Sequence, residues 1–402
     1  MPKLLQINVT ANVGSTGRIA EQLGAMAKVN GWDSYIAYGR SAYTSKSKLI
    51  RVGNTIDVLY HVLISRLFDK HGLGSRLATK KLVRKIEEIK PDIIHLHNIH
   101  GYYLNYKILF EYLKGANIPV VWTLHDCWTF TGHCAHFVEA GCCNWKVACM
   151  QCPLKFAYPK SFVDQSSRNY KLKKDLFGGL NRLTIVPVSN WLQEYVKDSF
   201  FKHSHIKTIH NGVDVNTFSP QELLEDSANT SKTVIGVSSV WNNSKGLEDF
   251  ITLRRLLADD VRIVLVGLDK KQIAQLPSGI EGVERTNSVY ELVSMYNNAD
   301  VFVNPTYADT FPTVNLEALA CGIPVITYKT GGSPEAVTLE TGVVVEQGNL
   351  GMLKEAIDAV LQKGKGHYAD ACRRRAVEYF DKEKCFQQYI DLYNDILANN
   401  NK

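Results

Sequence analysis

The chain has 402 residues, is 45% hydrophobic and 21% charged, and carries a formal net charge of +6. This length suits two domains rather than one, and the composition is that of a globular protein, not a disordered or fibrous one. No stretch reaches the roughly 20 apolar residues of a membrane span, and the opening Met1-Pro-Lys-Leu-Leu-Gln-Ile-Asn-Val9 reads as a strand without signal-peptide anatomy, so a cytoplasmic protein is expected.

The charge is uneven. Residues 1–200 hold 26 Lys and Arg against 14 Asp and Glu, a net +12, whereas the rest is net −6. Much of the excess lies in Arg66 to Lys90 and Lys155 to Lys174. Such a face suits an anionic membrane leaflet, where each basic residue contributes about 1 kcal/mol, or is simply solvated. No RNP, helix-turn-helix or zinc-finger spacing is present, so nucleic acid is not an expected partner.

From the amino end, Lys3 to Val9 is an apolar strand. A loop of small residues, Asn12-Val-Gly14-Ser-Thr-Gly17, leads to a helix expected over Arg18 to Lys28. Glycine there lets the backbone approach a ligand closely. The spacing is not Gly-x-Gly-x-x-Gly, so a nicotinamide site is poorly supported. Ser34 to Tyr38 is the next strand. Val58 to Phe68 has apolar residues at helical spacing, which fits core packing or, with basic neighbours, a helix lying on a membrane. Asp92 to His97 and Pro119 to Leu124 are further strands with helices between them. This βα alternation predicts a helix-covered parallel sheet whose strand ends face the ligand crevice. Asn98, His100, His125 and Asp126 fall at those ends. His95 and His97 share one strand face, and hydrogen-bonded structural histidines are the expected reading.

Ser189-Asn-Trp191 opens a helix, and polar residues 219–232 read as a linker. The second half starts with the strand Thr233 to Val237 and continues with Val261 to Val266, Val301 to Val303, Val325 to Thr327 and Gly342 to Val345. Terminal helices are expected over Leu350 to Leu361 and Tyr368 to Leu397. Lys245-Gly246 is expected to open a helix, where a lysine can neutralise a diphosphate. Asp309 lies on the loop after Val301-Phe-Val-Asn304, and Glu317 lies one turn into a helix expected over Thr313 to Ala320. Gly322 and Pro324 end that helix. An anion at the helix amino terminus, flanked by two carboxylates that accept hydroxyl hydrogen bonds, matches the shape of a sugar nucleotide.

The segment Asp309-Thr-Phe-Pro-Thr-Val-Asn-Leu-Glu317 resembles the Glu-x7-Glu donor motif of glycosyltransferase family 4, with Asp in the first position. The resemblance covers nearly the whole chain, including the Asn211-Gly-Val-Asp214…Phe218 run, and points to bacterial exopolysaccharide enzymes of the colanic-acid type. It implies an α/β GT-B fold in which two Rossmann-like domains face each other across a cleft. Residues 1–210 would form the acceptor-side domain, with a Cys-rich loop at 127–152. Residues 211–375 would bind the nucleotide sugar, and 376–402 would be a helix crossing back to the first domain. The implied reaction is a retaining, metal-independent transfer, assisted by the leaving phosphate oxygen and resting on positioning and charge stabilisation.

The same resemblance implies residue roles. Asp309 would bind sugar hydroxyls, Glu317 the ribose and Lys245 the departing diphosphate. Relatives add an arginine a few residues before the lysine; Ser238 to Ser244 contains none. Phe311 and the backbone of Thr313 and Val314 would line the donor phosphate, with Pro312 where many relatives have glycine. Gly14, Gly17 and Arg18 would lie by the donor phosphate, His125 would contact the sugar from the other domain, and the Gly331 to Glu335 loop would lie by the nucleotide. The implied acceptor is a lipid-diphosphate-linked glycan, met at the inner face of the bacterial plasma membrane. A nucleotide-sugar 2-epimerase of the same fold, or a non-catalytic zinc-containing assembly protein, are the alternatives.

Six of the nine cysteines fall between Cys127 and Cys152. Dense cysteines in a cytoplasmic protein suggest metal or redox chemistry. Cys134-x7-Cys142-x6-Cys149-x2-Cys152 is a set of four thiols whose last pair has structural-zinc spacing. Related exopolysaccharide transferases carry a similar pattern. Packed free thiols and disulfides are the other readings.

Overall fold

The structure, a computed structural model, describes residues 1–221 and 231–400. The expected linker at 219–232 therefore falls mostly outside the described residues. The chain divides into two compact units, Met1–His210 with Phe386–Lys402, and Asn211–Cys385.

The first unit is built on seven strands: β1 (Lys3–Asn8), β2 (Asp33–Tyr38), β3 (Lys48–Arg51), β4 (Ile93–Leu96), β5 (Val120–Leu124), β6 (Leu183–Pro187) and β7 (His205–Ile206). They form one parallel sheet in the order β3-β2-β1-β4-β5-β6-β7. Strands β4, β5 and β6 are buried along their whole length, which is why they read as continuous apolar runs rather than alternating ones. The helices are α1 (Gly14–Val29), α2 (Thr55–Phe68), α3 (Arg76–Ile89), α4 (Tyr106–Ala116), α5 (Ser166–Phe177) and α6 (Asn190–Asp198). Strand order reverses between β1 and β4, the switch point at which a parallel sheet opens a crevice beyond its strand ends.

Helix α1 starts earlier than expected. Gly14-Ser-Thr-Gly17 is its first turn rather than a loop. A side chain at Gly17 would place Cβ 2.6 Å from Thr10 Oγ1, so glycine is what lets the helix sit against the exit of β1. Helix α2 also departs from core packing. It buries only His61 and Ser65.

The second unit holds β8 (Lys232–Val237), β9 (Val261–Val266), β10 (Ile280–Val283), β11 (Val301–Asn304), β12 (Val325–Tyr328) and β13 (Gly342–Val345), parallel in the order β10-β9-β8-β11-β12-β13. Its helices are α7 (Leu247–Arg254), α8 (Lys270–Ala274), α9 (Val289–Asn297), α10 (Thr313–Ala320), α11 (Leu350–Lys363) and α12 (Gly366–Tyr379). Here the order reverses between β8 and β11, the strands that precede Lys245 and Asp309.

The single terminal helix expected over Tyr368 to Leu397 is two helices. Between α12 and α13 (Lys382–Asn400) the chain straightens at Phe380-Asp381 to form a parallel bridge with Val213. Val213 N–H donates to Phe380 O (2.8 Å) and Lys382 N–H to Val213 O (2.9 Å). Gly212 makes room, because a Cβ there would stand 2.5 Å from Lys382 Cα. From Phe386 onward α13 belongs to the first unit. Its Tyr393 hydroxyl lies 2.6 Å from His95 Nδ1, and Thr123 Oγ1 donates to Tyr389 OH (3.0 Å). Thr123 Oγ1 thus accepts from His95 Nε2–H (2.8 Å), which leaves Nδ1 to accept the Tyr393 proton.

Tyr393→Phe is expected to leave a buried ring nitrogen unpaired and to destabilise the first unit by about 1–3 kcal/mol. Urea unfolding measures this, and an unchanged midpoint would refute the pairing.

Candidate functional site

The residues after β8 and β11 meet at the switch point of the second sheet. Asn242 caps a short 3-10 turn at Asn243–Lys245 by accepting from Lys245 N–H (3.1 Å). Lys245 thus sits in a turn just before α7, not in the helix itself. Gly246 is left-handed at φ 74°, and its missing Cβ would stand 2.3 Å from Pro305 O. That close approach lets the turn zip onto the loop after β11. Tyr307 N–H donates to Ser244 O at 2.8 Å.

The zip delivers one side chain to the other. Lys245 Nζ lies 2.6 Å from Asp309 Oδ2 and 3.2 Å from Ala308 O. Asp309 Oδ1 accepts weakly from Phe311 N–H at 3.3 Å. On the other side, Gly331 (φ 56°) passes so close that a Cβ would stand 1.6 Å from Asp309 O. Asp309 is therefore clamped between two loops, each through a glycine.

Helix α10 begins directly afterwards. Its N-cap is Pro312, and no side chain caps it. The N–H groups of Thr313 and Val314 in the first turn have no intrahelical acceptor, and with the helix dipole they make a positive end. Glu317 stands one turn further along, where Tyr296 OH donates to its Oε2 (3.2 Å). Tyr296 gave no signal in the sequence, because its partner is 21 residues away on another helix. Phe311 does not face this site with its ring. It is 2% exposed and packs on Phe380 at 5.7 Å, while its carbonyl accepts from Asn211 Nδ2–H at 3.1 Å.

The first unit carries the other expected residues. Gly14, Gly17 and the exposed Arg18 lie in the first turn of α1, at the exit of β1. His125 follows β5 and is half-buried. Its Nε2 lies 3.2 Å from His97 Nδ1, and His97 Nε2 lies 3.0 Å from Gln6 Oε1. Gln6 uses its amide nitrogen on Ala20 O, so its oxygen must accept. His97 then carries its proton on Nε2, its Nδ1 accepts from His125 Nε2–H, and His125 Nδ1 is the acceptor nitrogen. Asp126 does not orient His125. Its Oδ2 pairs with His100 Nε2 (2.8 Å), and its Oδ1 accepts from Trp128 N–H (2.9 Å). Burial raises the Asp126 carboxyl, but the His100 charge and hydrogen bond outweigh it and bring the pKa down to about 2.

In the cysteine segment, Cys134, Cys142, Cys149 and Cys152 line a single cavity with His133. All nine cysteines are free thiols. The Cys134–Cys152 hydrogen bond favours the Cys152 thiolate and holds the proton on Cys134. Among the described residues, no three His, Cys, Asp or Glu side chains are arranged to hold a metal ion.

Burial lowers His61 and His125 to about 4 and pushes His71, His95 and His97 well below the ordinary 6.5. The unfolded chain therefore binds more protons than the folded one between about pH 6.5 and 4. Stability is present above that window and is lost as pH falls through it, by up to about 1.4 kcal/mol per pH unit for each ring. The urea midpoint of the first unit is expected to drop between pH 7 and 5; a flat profile would show these rings are not buried neutral.

Residues 17–217 match the family model described as Glycosyltransferase Family 4, and residues 231–363 match Glycosyl transferases group 1. The Escherichia coli (strain K12) protein WcaC, named as a colanic acid biosynthesis glycosyl transferase, is 23% identical across 98% of this chain and 100% of its own length. Among solved structures, sucrose-phosphate synthase from Thermosynechococcus elongatus matches with a TM-score of 0.73 at 18% identity, covering 99% of this chain and 100% of that one. Anabaena HepE in complex with UDP and glucose matches with a TM-score of 0.67 at 17% identity, covering 98% and 100%. Two parallel Rossmann-like sheets and family matches over both halves lead to one conclusion: the chain belongs to glycosyltransferase family 4 and has the GT-B fold.

Proposed function

We propose that this protein transfers a sugar, with retention of configuration, from a nucleotide-diphosphate sugar to a lipid-linked glycan during bacterial cell-surface polysaccharide biosynthesis. The observation that carries this reading is the Lys245–Asp309 contact beside the uncapped start of α10, with Glu317 one turn beyond. Positive charge and a carboxylate pair are what a diphosphate, a hexose and a ribose require. WcaC's name places a full-length relative in polysaccharide synthesis, and HepE was solved with UDP and glucose; both support the substrate class.

Lys245 and the N–H groups of Thr313 and Val314 would stabilise charge as it develops on the leaving diphosphate. They take the part that a metal ion plays in other transferases. Asp309 holds the ammonium in place with Oδ2 and would accept a sugar hydroxyl with Oδ1, whose bond to Phe311 N–H is long. Glu317, steadied by Tyr296, would accept from the ribose hydroxyls. His125 would accept a sugar hydroxyl proton at Nδ1, a neutral role consistent with its lowered pKa.

A membrane-surface role is favoured by α2. Ile56, Leu59, Tyr60, Leu63 and Leu67 recur at helical spacing on one face and are 42–76% exposed. The end of α2 adjoins exposed Phe162, whose N–H donates to Arg66 O at 2.8 Å. Lys70 and Lys160 lie over the rings of Phe68 and Phe162. An apolar stripe rimmed by cations suits the headgroup layer of an anionic bilayer. Among the described residues no helix is long and apolar enough to cross a membrane.

The test is turnover of UDP- and GDP-sugars with polyprenyl-diphosphate-linked acceptors. Lys245→Ala is expected to lower kcat by about 100-fold or more, whereas Glu317→Ala is expected chiefly to raise the donor KM by about tenfold. Full turnover in Lys245→Ala, or conversion of the donor sugar without acceptor, would overturn the reading. In co-sedimentation with phosphatidylglycerol vesicles, Leu59→Ser with Leu63→Ser is expected to weaken binding by about tenfold or more. Equal sedimentation of variant and wild type would remove α2 from the membrane contact.

A further inference from the structure

The transfer chemistry leaves the cysteine segment unused, yet it holds the densest set of soft ligands in the chain. Cys134, Cys142, Cys149 and Cys152 border one cavity of about 10 Å3, walled on its apolar side by Phe137 and Trp145. That space admits roughly one water-sized body. Sulfur from four cysteines and Met150 makes up much of its lining, with Thr131, His133 and Asn144 as its polar members. A soft divalent cation would be well served. Gly132 N–H already points at Cys149 Sγ from 3.2 Å, the sort of outer hydrogen bond that steadies a metal-bound thiolate.

Two buried polar groups lie beside the thiols. The Lys173 ammonium is 1% exposed. It donates to Trp128 O (2.6 Å) and Thr131 O (3.0 Å) and lies 3.4 Å from the Trp128 ring centroid. Among the described residues it forms no salt bridge. Burial lowers its pKa to about 7, and Cys149, Cys134, Asp126 and Asp69 are within its electrostatic reach. His133 lines the same cavity and is 2% exposed. Its Nδ1 is 2.7 Å from Asp69 Oδ1, whereas its buried Nε2 has no hydrogen-bond partner.

We propose that Cys134, Cys142, Cys149 and Cys152 bind one structural zinc ion as four thiolates, with Lys173 and His133 buried beside the site. On binding, four S–H bonds break, four Zn–S bonds form and four protons leave to solvent. The product carries two net negative charges, set beside the buried Lys173 amine. The side chains are not already gathered around one centre, so binding includes closure of the segment on the ion. His133 keeps its Nδ1 on Asp69 and lines the cavity beside Cys134. Zinc has no catalytic part here: four sulfurs fill the tetrahedron and leave no open position. It pins the segment that follows Asp126, where Cys127 N–H donates to Ala135 O at 2.8 Å.

The test is the metal content of the full chain purified without chelators from zinc-supplemented medium. One zinc per chain is expected, released as a mercurial reagent titrates four thiols. Exchange with Co2+ should give thiolate charge-transfer absorption. Cys142→Ser and Cys152→Ser should lose the metal, whereas Cys143→Ser should keep it. Wild-type protein with zinc at background level overturns the proposal, as does full zinc retention in Cys152→Ser or disulfides among the four thiols in unreduced protein. Should the variants fail to fold, the wild-type stoichiometry and thiol titration still decide.

Discussion

A lysine ammonium 2.6 Å from an aspartate carboxylate organises the second unit. The two side chains come from strands β8 and β11, which are neighbours in space and separated in sequence by the whole of β9, β10 and the helices between. Their meeting depends on backbone approach more than on side-chain attraction. Gly246 lets the lysine turn touch the loop after β11, and Gly331 lets a third loop cross the aspartate carbonyl. Both positions combine a left-handed backbone with a neighbour too close for any Cβ, so substitution at either would move the charged groups as well as strain the chain. A pair at a rim exposed to water contributes little stability by itself. Its worth lies in holding an ammonium beside a helix start that lacks a side-chain cap.

The first unit solves a different problem, that of polar rings inside a sheet. Gln6 sets the proton positions of the hydrogen-bonded pair His97 and His125, and Thr123 with Tyr389 sets that of the neighbouring His95. Burial keeps these rings neutral, and neutrality lets each nitrogen act as a fixed donor or acceptor. The cost is sensitivity to acid; the gain is that His125 presents a defined nitrogen at the end of β5.

The parallel sheets were legible in the sequence because strands covered on both faces leave uninterrupted apolar runs, as in Val120 to Leu124 and Val301 to Asn304. The α10 boundaries, Thr313 to Ala320, were legible from Gly322 and Pro324. Other features depended on distant partners. Gly14 to Gly17 looked like a loop because glycine disfavours helix; the close approach to Thr10 explains Gly17, and a left-handed φ of 68° explains Gly14. The break at Phe380-Asp381 carries no proline or glycine; a bridge to Val213 makes it. Apolar spacing in α2 suggested a core helix, since periodicity reports a stripe and not what covers it. Four cysteines announced themselves by spacing, whereas Lys173 and His133 did not, because a sequence does not show which polar side chains end up buried.

The chain's route between the units has a consequence for biosynthesis. It leaves the first unit at His210 and re-enters at Phe386, so the second unit is, in order of synthesis, an insertion within the first. The pocket around His95 and Trp32 closes only when Tyr393 arrives. A ribosome therefore emits every residue of the inserted unit before the outer one has its last core side chain. The earlier-made half must wait, exposed, while the later-made half becomes compact, which reverses the usual amino-to-carboxyl order of domain maturation.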